Sequence, residues 1–133
     1  AVGRILDSNV ILDVATDDPV WGAWSDAQIS RYQKDGLLIN PVIYAELCAG
    51  AESMHEVDHL IEPLGLKFEE LPREALFLAA KAFLLYRRNG GTKVLPLPDF
   101  FIGAHAESLG IAIITRDPSR YETYFPKVKL IKP

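Results

Sequence analysis

Cysteine is nearly missing from this chain: Cys48 is the only one in 133 residues. That excludes an internal disulfide framework and suits a reducing compartment, the cytoplasm. Three histidines, spread along the sequence, are too few and too scattered for a zinc site. No apolar run approaches the ~18–20 residues of a membrane span, so no membrane association is expected. The opening AVGRILDSN turns polar too soon for a secretory signal. There is no repeat, no low-complexity tract, no glycine-rich phosphate loop and no GxGxxG. Positive charge is short too: 14 Lys and Arg against 18 Asp and Glu give a net charge of −4. That argues against a broad basic surface for nucleic acid. It leaves room for an enzyme that holds phosphate through cations gripped by carboxylates. Basic residues gather at Arg87-Arg88 with Lys93, at Arg116 with Arg120, and at Lys127, Lys129 and Lys132; ordinary solvated surface is the simplest account of each.

What is present is a globular balance, 49% hydrophobic and 24% charged, over a length that suits one domain across 1–133. Short apolar runs alternate with helical stretches, the pattern of an α/β domain with a parallel sheet. Strands are expected at Arg4–Leu6, Leu37–Ile39, Leu66–Phe68, Ile111–Thr115 and Val128–Ile131. The fourth is wholly apolar but for its last residue, as in the middle of a sheet. Helices are expected near Val10–Val14, from Pro19 to a stop at Gly36, from Asn40-Pro41 through Leu47, from Ser53 to Leu64, from Pro72 to Arg88, over Asp99–Leu109 to Gly110, and from Asp117-Pro118. Thr92–Pro98 reads as a loop.

Four carboxylates stand where chemistry would put them. Asp7 directly follows the first strand, and Asp117 follows IAIIT by one residue; active sites of open parallel sheets gather at such carboxyl ends. Each alone would pass for a helix cap. Asp99 heads a helix and shares a face with Ile102, Gly103 and Ala106. Glu46 interrupts the apolar stripe Val42, Ile43, Leu47 and Gly50. A glutamate there must be paired, hydrogen-bonded, protonated or metal-linked, because a bare buried charge is too costly. Four such acids brought together repel, and without a cation at least one would keep its proton. An all-oxygen pocket suits hard ions such as Mg²⁺ or Mn²⁺, and the resulting chemistry is phosphoryl transfer.

The segments LDSNVILD, YAEL, PDFFIGAHAESLG and IAIITRDPSRY, in this order, resemble the PIN-domain family and within it the VapC-like toxins. The likeness spans essentially the whole chain. It implies a three-layer α/β/α sandwich around a parallel sheet of about five strands. It implies that Asp7, Asp99 and Asp117 hold the metal and that Glu46 binds it through water, completes the shell or orients the nucleophile. Asn9, Ser8 and Thr115 would fix the carboxylates by hydrogen bonds, although turn and cap chemistry accounts for Ser8 more simply. Arg116 and Lys93 are candidates for phosphate contact, with surface roles the plainer account. The implied activity is hydrolysis of RNA phosphodiesters by the toxin of a toxin–antitoxin pair, a homodimer neutralised by a cognate antitoxin. Trp21, Trp24, Tyr32, Phe100 and Phe101 could line a partner surface, but aromatics at helical spacing are more often core. His105, six positions past Asp99, points away from the acids and reads as a packing or surface histidine.

Rival readings keep part of this picture. A non-catalytic PIN-like module would bind RNA or protein without cutting; a DNA or flap nuclease would keep the chemistry and change the substrate. A receiver-like domain fits poorly, since strand one is followed by a single Asp and no matching acid follows strand three.

Overall fold

The computed structural model describes residues 3–94 and 97–133; residues 95 and 96 of the expected loop Thr92–Pro98 lie outside the described residues. At the centre is β1 (Arg4–Leu6), paired in parallel with β2 (Leu37–Ile39) on one side and β4 (Ala112–Ile114) on the other. The two-residue strands β3 (Lys67–Phe68) and β5 (Leu130–Ile131) extend the sheet to the order β3-β2-β1-β4-β5, parallel throughout. Five parallel strands were expected; the middle of the sheet is β1, with β4 beside it.

Seven helices connect them: α1 (Ser8–Ala15), α2 (Gly22–Tyr32), α3 (Pro41–Ala49), α4 (Met54–Ile61), α5 (Arg73–Arg88), α6 (Pro98–Leu109) and α7 (Ser119–Tyr124). Local chemistry sets their ends. Asn40 caps α3 by accepting from the Ile43 amide at 2.9 Å, with Pro41 pre-set for the first turn. Pro98 does the same for α6, and Gly110, at φ 68°, ends it in the left-handed conformation. The helix expected from Pro19 begins only at Gly22. Asp18 first takes the amides of Val20 and Trp21, at 3.0 and 2.7 Å, in a turn that precedes it.

The crossovers between parallel strands, right-handed by the general rule, place helices on both faces of the sheet. α1 packs on α2 and α3, and α3 on α4; α5, α6 and α7 pack on one another as the second layer. This is the three-layer α/β/α sandwich. Ile5, Leu6, Leu37, Ile39, Ile113 and Ile114 are buried from both sides. Each contributes ~1.5–3 kcal/mol of burial, the main term holding the layers together. Phe100 is fully buried, its ring 5.4 Å from that of Tyr124 and 5.5 Å from that of Tyr86, so it belongs to the core and not to a partner surface. Trp24 and Tyr32 pack partly buried against the same core. Gly103 is required by contact: a Cβ there would lie 2.3 Å from the Phe125 ring.

The chain adds β2 and β3 on one side of β1, then returns to add β4 and β5 on the other. A sheet opens a crevice where its order reverses, at the carboxyl ends of the strands. Here that point lies between β1 and β4, where Leu6 pairs with Ile114; Asp7 and Thr115 come next.

Candidate active site

Asp7 anchors the site. Its backbone continues the sheet, donating to the Ile114 carbonyl at 3.0 Å, and its Oδ1 caps α1 by accepting from the Ser8 amide at 2.9 Å. Its Oδ2 accepts from the hydroxyls of Thr115 (3.0 Å) and Tyr121 (2.8 Å). Thr115 Oγ1 in turn accepts from the Asn9 side-chain amide at 3.2 Å and the Asp117 backbone amide at 3.1 Å, while Asn9 Oδ1 accepts from the Arg116 amide at 3.2 Å. Asn9 and Thr115 thus tie the first turn of α1 to the loop after β4. That linkage fixes where Asp7 points and where Asp117 leaves the sheet.

Glu46 arrives from α3 in one helical layer, and Asp99 from α6 in the other. The Ser8 hydroxyl donates to Glu46 Oε1 at 3.1 Å, so Ser8 does more than the cap chemistry that accounted for it from sequence. The two helices are linked by Asn40, whose Nδ2 lies 3.1 Å from His105 Nδ1. His105 is a buried packing histidine. Burial holds its pKa below the usual imidazole value, so it is neutral and accepts. Asp99 stands 3.9 Å from Arg120 and lines a cavity of about 310 Å³ with Asp117, Ser119, Thr123, Tyr86 and Tyr124. Glu46 lines a separate groove of about 320 Å³, walled by Leu12, Leu47, Val57 and Leu60.

Three of the four acids hold raised proton affinities. Burial raises the pKa of Asp7, against the hydrogen bonds from Tyr121, Thr115 and Ser8, and the charge of Asp117 adds to the rise. Glu46 is raised by burial and then by Asp7 and Asp99. Asp99 is pushed up to about 6 by burial and by Asp7, with Arg120 opposing. Tyr121 is driven well above its ordinary value by burial and by Asp7 and Asp99, so it stays a hydroxyl donor. Close enough to repel, the acids are still not drawn onto one point: among the described residues no three His, Cys, Asp or Glu side chains converge as a ready-made metal cage.

A family model for the PIN domain matches residues 4–126, which include all four acids. The chain belongs to the PIN-domain family. The fold of this PIN domain is similar to solved structures at low identity. VapBC2 from Rickettsia felis bound to a promoter DNA fragment gives a TM-score of 0.77 at 14% identity, over 98% of both chains. DNA-bound VapBC from Salmonella typhimurium gives 0.76 at 18%, over 99% of this chain and 98% of that one. A toxin–antitoxin complex from Klebsiella pneumoniae gives 0.69 at 18%, over 94% of each. Among curated proteins no sequence matches significantly.

Two features of this PIN domain were missed from sequence. Tyr121, fully buried in the short α7, is the first; nothing in SRYETY marks it out. The second is Asp13, buried in α1, which accepts from Ser25 Oγ at 2.8 Å and from Arg116 Nε and Nη2 at 2.6 and 2.9 Å. It shares a helix face with Val10 and is only 3% exposed, so the argument that singled out Glu46 applies equally to it. Arg116 is therefore committed to Asp13, which also raises its pKa, and it positions the loop after β4 where a phosphate contact had been considered. Lys93 is exposed, its amide 3.3 Å from the Tyr86 hydroxyl.

The donor set fits a hard divalent cation. The acids offer oxygen only, three of them hold raised proton affinities that a nearby positive charge would relieve, and the nearest imidazole is turned to Asn40. A depression at the other ends of the strands, lined by Gly3, Arg4, Asp35 and Lys129, holds an ordinary Arg4–Asp35 ion pair at 3.1 Å and no such cluster.

Proposed function

We propose that this PIN domain is a Mg²⁺- or Mn²⁺-dependent endoribonuclease, one nuclease domain across 1–133, and the toxin of a toxin–antitoxin pair. The observation that carries the reading is the gathering of Asp7, Glu46 and Asp99, with Asp117 beside them, at the point where the strand order reverses, their proton affinities raised by burial and then by one another. A fold has no use for four repelling acids unless something positive offsets them.

Asp7, Asp99 and Asp117 would hold the cation, with Glu46 beside them. When bound, the ion would polarise a phosphodiester and make water a better nucleophile. The chain's own residues do the rest. Thr115, Tyr121 and the Ser8 amide hold the Asp7 carboxylate in place. Glu46, with raised proton affinity and one oxygen on Ser8, is suited to accept a proton from attacking water. Arg120, beside Asp99 in the open cavity, is the basic group best placed to meet a phosphate. RNA as substrate and a cognate antitoxin as partner are what the family resemblance implies, and the complexes of similar fold support the second.

The deciding experiment incubates the purified protein with total RNA plus Mg²⁺ or Mn²⁺ and sequences the new ends. Defined new ends, lost in Asp99→Asn, support the reading. Binding without cleavage in both ions would favour a non-catalytic module instead, and cleavage confined to DNA would favour the third reading.

A further inference from the structure

The cavity beside Asp99 holds more than acids. Its wall joins the carboxylates of Asp99 and Asp117 to the Arg120 guanidinium, the hydroxyls of Ser119 and Thr123, and the rings of Tyr86 and Tyr124. The two rings stand 6.1 Å apart, steeply inclined at 73°. Both are half-buried, and both pack on the fully buried Phe100, at 5.5 and 5.4 Å. The Tyr86 hydroxyl accepts from the Lys93 amide at 3.3 Å, which holds that ring as a wall. Arg120 lies over the same cluster, 5.5 Å from the Tyr86 centroid and 5.8 Å from that of Phe100. Among the described residues it is the only cation lining the cavity. The Thr123 hydroxyl donates to the Ser119 carbonyl at 3.0 Å, which leaves its lone pairs free to accept.

This set of groups matches one nucleotide. Aromatic faces and guanidinium planes stack an unpaired base, and hydroxyls meet its polar edge. The single cation suits the phosphate that the base carries with it. A volume of about 310 Å³ is at the small end of ligand cavities, which suits one base and not a length of strand. The groove beside Glu46, in the other helical layer, offers no such surface. Leu12, Leu47, Val57 and Leu60 wall it, and no aromatic ring lines it among the described residues. A strand crossing the acids would therefore meet a stacking platform on one side only.

We propose that the cavity of Tyr86, Arg120 and Tyr124 is a subsite for one unpaired nucleobase beside the cleaved phosphate, and that it sets a base preference on that side of the cut alone. The place beside a cut rests on the nuclease reading; the capture of a nucleotide does not. Nucleoside 5′-monophosphates of the four RNA bases carry no phosphodiester to cut, and ribose 5-phosphate is the same probe without a base. Titrated by NMR in Mg²⁺, at least one nucleotide should shift the ring signals of Tyr86 and Tyr124. It should bind about tenfold tighter than ribose 5-phosphate, the factor a stacked base contributes. Tyr124→Leu keeps apolar bulk over Phe100 and loses the π face. It should remove that advantage with circular dichroism native, and the wild-type comparison decides alone should the variant fail to fold. Among sequenced RNA ends, the wild type should favour particular bases on one side of the cut, and Tyr124→Leu should flatten that bias. Nucleotides that bind no better than ribose 5-phosphate overturn the proposal, and so does a bias untouched by Tyr124→Leu. Nucleotide capture by a protein that cuts no RNA supports the pocket and sinks the nuclease reading. Cleavage beside an indifferent cavity does the reverse.

Discussion

The Tyr121 hydroxyl donates to Asp7 Oδ2 across 2.8 Å in a fully buried contact, so an aromatic residue from the last helix holds the acid at the end of the first strand. Tyr121→Phe removes a donor that favours the charged carboxylate. The proton affinity of Asp7 should rise, and the acid limb of the cleavage profile should move to higher pH. Thermal melts should show a stability cost of about 1–2 kcal/mol for the lost hydrogen bond. An unchanged acid limb would show that the hydroxyl serves packing alone.

Metal binding is predicted to appear as stabilisation. A ligand that binds only the folded state raises its stability, by ~2.7 kcal/mol at one hundred times its dissociation constant. Mg²⁺ and Mn²⁺ should therefore raise the melting temperature by several degrees, and Asp7→Asn should remove the rise. Asparagine still caps α1, so that variant should fold. A melting temperature indifferent to both ions would count against any metal role for these acids.

Much of this site was readable because its residues break local rules. Asp7 and Asp117 sit at the ends of apolar strands, and Glu46 interrupts an apolar helical stripe, so each is conspicuous in one dimension. The sheet was readable for a related reason: its strands are short, apolar and separated by helical spacing. What escaped depends on pairing across the fold. Asp13 gains its meaning from Arg116, 103 residues away, and Tyr121 from Asp7, 114 away. Boundaries slipped where side chains capture backbone amides ahead of a helix, as Asp18 does before α2.

Without metal, the raised acids set the sign of a pH effect. Asp99 titrates at about 6 in the fold, above its ordinary value of 3.8. A carboxyl that binds protons more tightly when folded stabilises the fold below its unfolded value and loses that contribution as pH rises through the folded one. Asp7 and Glu46 are raised in the same direction. The metal-free protein should thus lose stability between about pH 4 and pH 7, by no more than about 3 kcal/mol from Asp99. Asp99→Asn should flatten that decline, melt higher than wild type at pH 7, and abolish cleavage with circular dichroism unchanged. Stability that climbs across the same interval would refute the raised proton affinities of these acids.

Arg116 separates positioning from phosphate binding. Its guanidinium makes two hydrogen bonds to Asp13, whose side chain is 3% exposed, and that carboxylate has Ser25 as its other partner. Removing one member of a buried pair leaves the other charge uncompensated, at ~3–5 kcal/mol when both are buried. Arg116 is 30% exposed, so Arg116→Ala should cost less, about 2 kcal/mol after that discount. Asp13→Asn/Arg116→Ala leaves no bare charge and should restore most of the lost stability, because the penalty lies in the stranded carboxylate and not in the missing arginine. Cleavage should follow the same order: weakened in the single variant as the loop carrying Asp117 loosens, and partly recovered in the double. A phosphate-binding Arg116 predicts the opposite, a Michaelis constant that rises equally in both variants while the melting temperature hardly moves. Chemical denaturation and steady-state kinetics on the two proteins decide between these outcomes.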